Sequence, residues 1–144
     1  MEIIYKGKKV SDGKWIEGFP ILYRAGQIGI AQIHPTTRIV SVEDDEYFDI
    51  KDLYCPKVIP ETVGQYTGCT DKNEKKIFVG DICRVCLDPE ICIGEVEYLP
   101  SITSFIIKLD DGENMVTFLD YSIAHKKLGN KVWIEVIGNI HDKI

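Results

Sequence analysis

Glycine and proline cut this chain into short pieces. Within most of them, apolar positions alternate with polar ones or β-branched residues run together. Both patterns belong to strands, where successive side chains point to opposite faces and branched side chains pack well on a pleated surface. Near the start, Ile3 and Tyr5 alternate with Ile4 and Lys6 before a turn at Ser11-Asp12-Gly13. KWIEGFPILY follows, interrupted at Gly18 and Pro20. A proline cannot donate to a ladder, so this strand is expected to break there or to lie at an edge. Ile28, Ile30 and Gln32 then share one face, and past His34-Pro35 the run Thr36–Val42 is again β-branched. Tyr47, Ile50, Leu53 and Tyr54 instead fit an amphipathic helical turn that Pro56 ends, so Glu43–Lys57 predicts a connector between two lobes.

Beyond Pro60 the strand pattern strengthens. Thr62–Thr67 reads as a strand, Thr70–Glu74 as a polar turn, and Ile77-Phe78-Val79 leads through Gly80-Asp81 into a strand ending at Leu87. After the turn Asp88-Pro89-Glu90, GEVEY alternates Val96 and Tyr98 against Glu95 and Glu97. Phe105–Leu109 and Met115–Leu119 flank Asp110-Asp111-Gly112-Glu113, the clearest hairpin signal in the chain. A short helix is predicted over Asp120–Leu128, with Asp120 as its N-cap and Gly129 just past its end, and Val132–Ile140 closes the chain as a strand.

The pattern yields roughly nine or ten short strands with one or two short helices, the turn spacing of sandwiches and small barrels. The expected class is mainly β, a β-rich α+β protein. An N-terminal antiparallel β lobe would span residues 1–60, with its acidic connector. A C-terminal lobe over residues 61–144 would form a small SH3-like β-barrel, five strands with a helical turn before the last. No stretch is periodic enough for alternating βαβ units, which disfavours a doubly wound sheet.

Charge narrows the partners. The 144 residues carry a formal net charge of -6, and neutralising phosphates takes clustered Lys and Arg, so the chain is a poor candidate for nucleic-acid or membrane-surface binding and no membrane partner is expected. Lys72, Lys75 and Lys76 form a small local exception, read as a solvated loop. No apolar run approaches the roughly 18 residues that span a bilayer, and MEIIYKGKKV lacks the basic and apolar regions of a signal peptide. The five cysteines, odd in number, then point to free thiols in a reducing cytoplasm.

No motif assembles a reactive centre. Cys83-x-x-Cys86 lies within a strand, where residues three apart face opposite ways, and Cys92 alone does not complete a zinc site. Buried free thiols are the expected outcome. His34, His125 and His141 are scattered, and Ser101, Thr103 and Ser104 lack a nucleophile-elbow pattern. Glu43–Glu46 lacks the spacing of a calcium loop. Asp110–Glu113 and Gly80-Asp81 read as turn chemistry, in which Asp bonds neighbouring N–H groups. Tyr5, Trp15, Tyr23, Tyr66, Tyr98, Phe105 and Trp133 lie mostly in strands with few interleaved basic residues, so core packing is expected over a base-stacking platform. No catalytic, cofactor or metal residue is assigned.

Three stretches carry a family resemblance. ETVGQYTGCTDKNEKKIFVGDI, Glu61–Ile82, resembles the signature of the YopX family of phage and prophage proteins, EVIGNI, Glu135–Ile140, resembles its C-terminal signature, and KGKKVSDGKWIEGF, Lys6–Phe19, is similar to its beginning. The resemblance implies a mainly β protein of two lobes encoded by a phage or prophage, and it brings no activity. Glu74 stands where the family has a turn glycine, and Cys83 where it has an aliphatic residue. The resulting expectation is a non-enzymatic accessory protein of the bacterial cytoplasm. It would bind a protein, from host or phage, or associate with itself as a homo-oligomer. A nucleic-acid-binding module using the C-terminal barrel is the alternative. An enzyme on a small molecule would need a pocket with converging polar groups.

Overall fold

The computed structural model describes residues 3–33, 39–42, 45–48 and 53–143. Contacts divide the chain into two units, Ile3–Val63 and a second that runs from Gly64. Both are built from antiparallel strands. Fourteen strands and one α-helix are present among the described residues.

In the first unit, β1 (Tyr5–Lys8), β2 (Trp15–Leu22) and β3 (Ile28–Ile33) form a meander. The β1–β2 turn is the expected one: Asp12 Oδ1 accepts from Lys14 N at 2.9 Å. Pro20 does not break β2. β1 pairs only as far as Gly18, and β3 takes over from Phe19 to Leu22. Opposite Pro20, Ile30 turns its N–H away to the Pro56 carbonyl at 3.2 Å. The proline therefore sits where β3 asks for no donor and β1 has ended, a local edge inside a continuous strand.

β4 (Ile39–Val42) and β5 (Asp45–Phe48) form a hairpin, and β6 (Leu53–Tyr54) and β7 (Lys57–Val58) both pair with β3. This corrects the predicted helical turn: Tyr47 belongs to β5 and Leu53 and Tyr54 to β6, while Ile50 lies outside the described residues. It also corrects the connector, because Leu53–Val58 is part of the first sheet. Ile16, Ile30 and Val58 make the small core, packed against Tyr5, Ile28 and Val63. Buried Thr62 holds its end, with Oγ1 accepting from Lys8 N at 2.9 Å and donating to the Ile59 carbonyl at 2.6 Å.

The second unit opens with a hairpin of β8 (Gly64–Thr70) and β9 (Lys76–Phe78). β10 (Asp81–Leu87), β11 (Glu90–Leu99), β12 (Ser104–Leu109) and β13 (Met115–Thr117) then meander, and β14 (Val132–Asn139) returns to pair with β10. The sheet order is β13-β12-β11-β10-β14. Ile77, Cys83, Val85, Val96, Ile107, Leu109, Phe118 and Ile134 form its core. The β12–β13 hairpin turns where expected: Asp111 Oδ1 accepts from Glu113 N at 2.9 Å and Asn114 N at 2.8 Å, and Gly112 has φ 77°.

The helix α1 (Phe118–Leu128) starts two residues earlier than predicted. Its N-cap is Thr117, whose Oγ1 accepts from Asp120 N at 3.0 Å. Asp120 thus sits in the first turn, where its charge favours the helix dipole, and is not the cap. Gly129 ends the helix at φ 58° as expected. Among the described residues no helix is long and apolar enough to cross a membrane.

Glu74 explains its own oddity. In the β8–β9 turn it adopts φ 63°, a left-handed conformation that costs an L-residue about 1–2 kcal/mol. Glu74→Gly is expected to raise the unfolding free energy by about 0.5–1 kcal/mol, glycine's greater freedom when unfolded offsetting part of the gain. Urea unfolding with an unchanged m-value would verify this.

Candidate functional site

The polar residues of the signature stretch converge on the fold itself. Asp71 opens the β8–β9 turn and is buried. Its Oδ1 accepts from Asn73 N at 2.8 Å and Lys75 N at 2.9 Å, shaping the turn. Its Oδ2 accepts from Val136 N at 2.9 Å on β14, while Lys72 N donates to the Ile134 carbonyl at 2.9 Å. The turn thereby covers the outer edge of the sheet's last strand.

Asp81 repeats the device at the other end of the hairpin. Fully buried, its Oδ2 accepts from Phe78 N at 2.8 Å and its Oδ1 from Asn139 Nδ2 at 2.9 Å. Gly80, at φ 96°, lets the chain pass between Val96 and Ile140, donating to one and accepting from the other at 2.9 Å. Asn139 in turn accepts from His141 N at 2.9 Å through Oδ1.

Beside the Asp71 turn lies an open cleft of about 470 Å³ lined by Asp71, Lys72, His125, Asn130, Val132 and Trp133. Lys72 Nζ stands 4.0 Å from the centroid of the Trp133 ring and 3.5 Å from Glu135 Oε2. Arg84 Nη1 holds Glu135 Oε1 at 2.7 Å. His125 stacks on Tyr121, and its Nδ1 lies 2.7 Å from the Val132 carbonyl, to which it donates in the tautomer protonated there. The cleft thus combines an aromatic face, a cation and an imidazole. Sequence reading placed Lys72 in a solvated loop and missed it, because Lys72 and Trp133 are distant in the chain.

Other candidates do not assemble. Cys83 and Cys86 are both buried and neither forms a disulfide, Cys83 in the core and Cys86 Sγ 3.6 Å from the Lys131 carbonyl oxygen. Burial pushes the Cys69 thiol and the Tyr121 phenol upward from their ordinary pKa values, so neither is activated as a nucleophile. His34, Glu43 and Asp44 lie outside the described residues, and Asp45 and Glu46 lie in the backbone of β5. Ser101 lies within a 3-10 turn at Pro100–Ile102, Thr103 follows it at φ 48°, and Ser104 opens β12. Among the described residues no group of three or more His, Cys, Asp or Glu side chains could hold a metal.

The aromatics divide. Tyr66 and Phe78 are buried against each other, but Tyr98 and Tyr23 are exposed, and Trp15 has Lys6 and Lys8 Nζ at 4.6 and 5.5 Å from its ring centroid. Core packing therefore accounts for only some of them.

A family model described as YopX protein matches residues 18–143. The chain belongs to the YopX family. The matched span contains both the Glu61–Ile82 and Glu135–Ile140 stretches, and Asp71, Asp81 and Asn139 lie inside them. The fold is also similar to the crystal structure of protein EF1440 from Enterococcus faecalis, at TM-score 0.55 and 20% identity over 99% of this chain and 95% of that one. At that identity the likeness concerns fold alone. No curated protein matches the chain.

Two expectations follow for this YopX-family chain. Asp71→Ala removes three charge-assisted bonds and is expected to cost about 3–4 kcal/mol, while Asp71→Asn, which keeps an acceptor for the turn, costs less. Chemical denaturation ranks the two. Glu95, on β11, has its pKa raised by burial and then by neighbouring Glu97, against the lowering influence of Lys108 and His141. The folded state thus holds that proton more tightly than the unfolded one. Stability falls as pH rises through the window between the two values. Glu95→Gln is expected to stabilise at neutral pH by a few tenths of a kcal/mol at most, given solvent screening. The gain should vanish in acid, as thermal melts at neutral and acidic pH would register.

Proposed function

We propose that this chain is a non-enzymatic accessory protein of phage or prophage origin, acting in the bacterial cytoplasm by binding a protein or a second copy of itself. One observation carries the reading. The signature's buried carboxylates, Asp71 and Asp81, are occupied by the fold, while large apolar side chains face outward on β11 at Ile91 and Ile93 and on α1 at Leu119 and Ile123. Outward-facing aliphatic residues paired on a strand and on a helix fit contact surfaces better than a reaction centre. The YopX membership supports the phage setting by analogy. The order β14-β10-β11-β12-β13, with α1 before the last strand, fits a small SH3-like barrel for the second unit.

A second reading has its own observation. Trp133 with Lys72 beside it offers the aromatic face and cation that a nucleic-acid-binding module uses to hold a base and its phosphate. Affinity capture of the tagged chain from prophage-induced cells, with and without nuclease, separates the two. A specific protein retained after nuclease treatment is the expected result; recovery that depends on nucleic acid would replace it with the second reading.

A further inference from the structure

The outward face of α1 is apolar at its centre and oppositely charged at its ends. Phe118 is buried, and Tyr121, Ser122 and Ala124 are half-buried, so the core lies along one side of the helix. At about 100° per residue, the opposite side centres on Ile123, with Leu119 one turn before it. Both are well exposed, Leu119 at 69% and Ile123 at 47%. Asp120 flanks this stripe at the N-terminal end, and Lys126 and Lys127 flank it at the C-terminal end, all exposed. The helix dipole accounts for an acid at one end and bases at the other. It gives no reason for two branched aliphatic residues facing away from the core.

We infer that α1 is the docking surface for α1 of a second copy of this chain, packed antiparallel about a two-fold axis through Ile123. This rests on the protein-binding reading and names the partner. The face is self-complementary in that arrangement. Ile123 meets its counterpart at the axis, Leu119 lies along the aliphatic stems of the other copy's Lys126 and Lys127, and Asp120 faces their ammonium groups. The contact repeats by symmetry, so each Asp120 faces two lysines of the other copy, once on either side of the axis. A helix of three turns buries little area, which places the pair among weak, reversible associations.

Sedimentation equilibrium under reducing conditions, from about 1 to about 300 µM, is expected to show a monomer passing to a dimer. Ile123→Asp, at an exposed position, should leave the melting profile intact and remove the dimer. Asp120→Lys alone, and Lys126→Asp with Lys127→Asp in a second chain, should each weaken self-association about tenfold, and mixing the two chains should restore it. The mixture pairs each new lysine with a new aspartate and leaves the native Asp–Lys contact on the other side. Wild-type chain that stays monomeric throughout, an unchanged dimer in Ile123→Asp, or a mixture no tighter than either variant alone overturns the inference. A monomer that still captures another protein through Ile123 would overturn it too, while keeping the broader protein-binding reading.

Discussion

Asp71 makes the second unit possible by meeting two demands with one carboxylate. A tight turn leaves N–H groups pointing inward with no strand to receive them, and the last strand of an open sheet leaves a row of backbone groups pointing outward. Oδ1 takes Asn73 and Lys75 in the turn; Oδ2 takes Val136 on β14. Because one side chain serves both, the hairpin and the sheet edge are fixed relative to each other. Asp81 with Asn139 does the same a strand away, binding the start of β10 to the end of β14. Charge-assisted bonds suit the task, since a carboxylate accepts several donors and a buried N–H left unmet is costly.

That arrangement bears on where chemistry can reside. Acidic and amide side chains at fixed spacing are the usual material of a catalytic or metal site. Here the clearest examples point into the backbone, and their geometry is complete without a ligand. Lys72 is the instructive case, since its backbone N–H belongs to the edge cover while its ammonium lies between Trp133 and Glu135. The same turn that closes the sheet therefore builds one wall of the cleft.

Local chemistry was legible in the sequence where one short segment decides the outcome. Asp110–Glu113 turned as its residues dictate, Gly129 ended the helix, and Cys83 and Cys86 lay buried in one strand. Reading failed where two local patterns competed. Asp120 and Thr117 are both good caps, and Thr117 prevails because its hydroxyl reaches Asp120 N while its own extended backbone still belongs to β13. Tyr47, Ile50, Leu53 and Tyr54 satisfy helical spacing, yet the described ones join two strands, since spacing says nothing of the unmet ladder positions on β3 that Leu53 and Tyr54 fill. The candidate cleft was not legible at all: Lys72 and Trp133 meet through tertiary structure alone.

α1 shows why such surfaces escape pattern reading. Periodicity detects a helix by the contrast between an apolar and a polar face. When aliphatic residues stand on both faces, the contrast fades and the helix looks only weakly amphipathic, although each face is well defined. Phe118 faces the core and Ile123 faces away, and only the packed structure tells them apart. An outward apolar stripe is tolerable on a monomer because two aliphatic side chains expose little area, and it carries specificity only if charges at its ends fix one orientation. The placement of Asp120 against Lys126 and Lys127 supplies that orientation. It makes the antiparallel arrangement of two identical helices the one in which apolar and charged contacts agree.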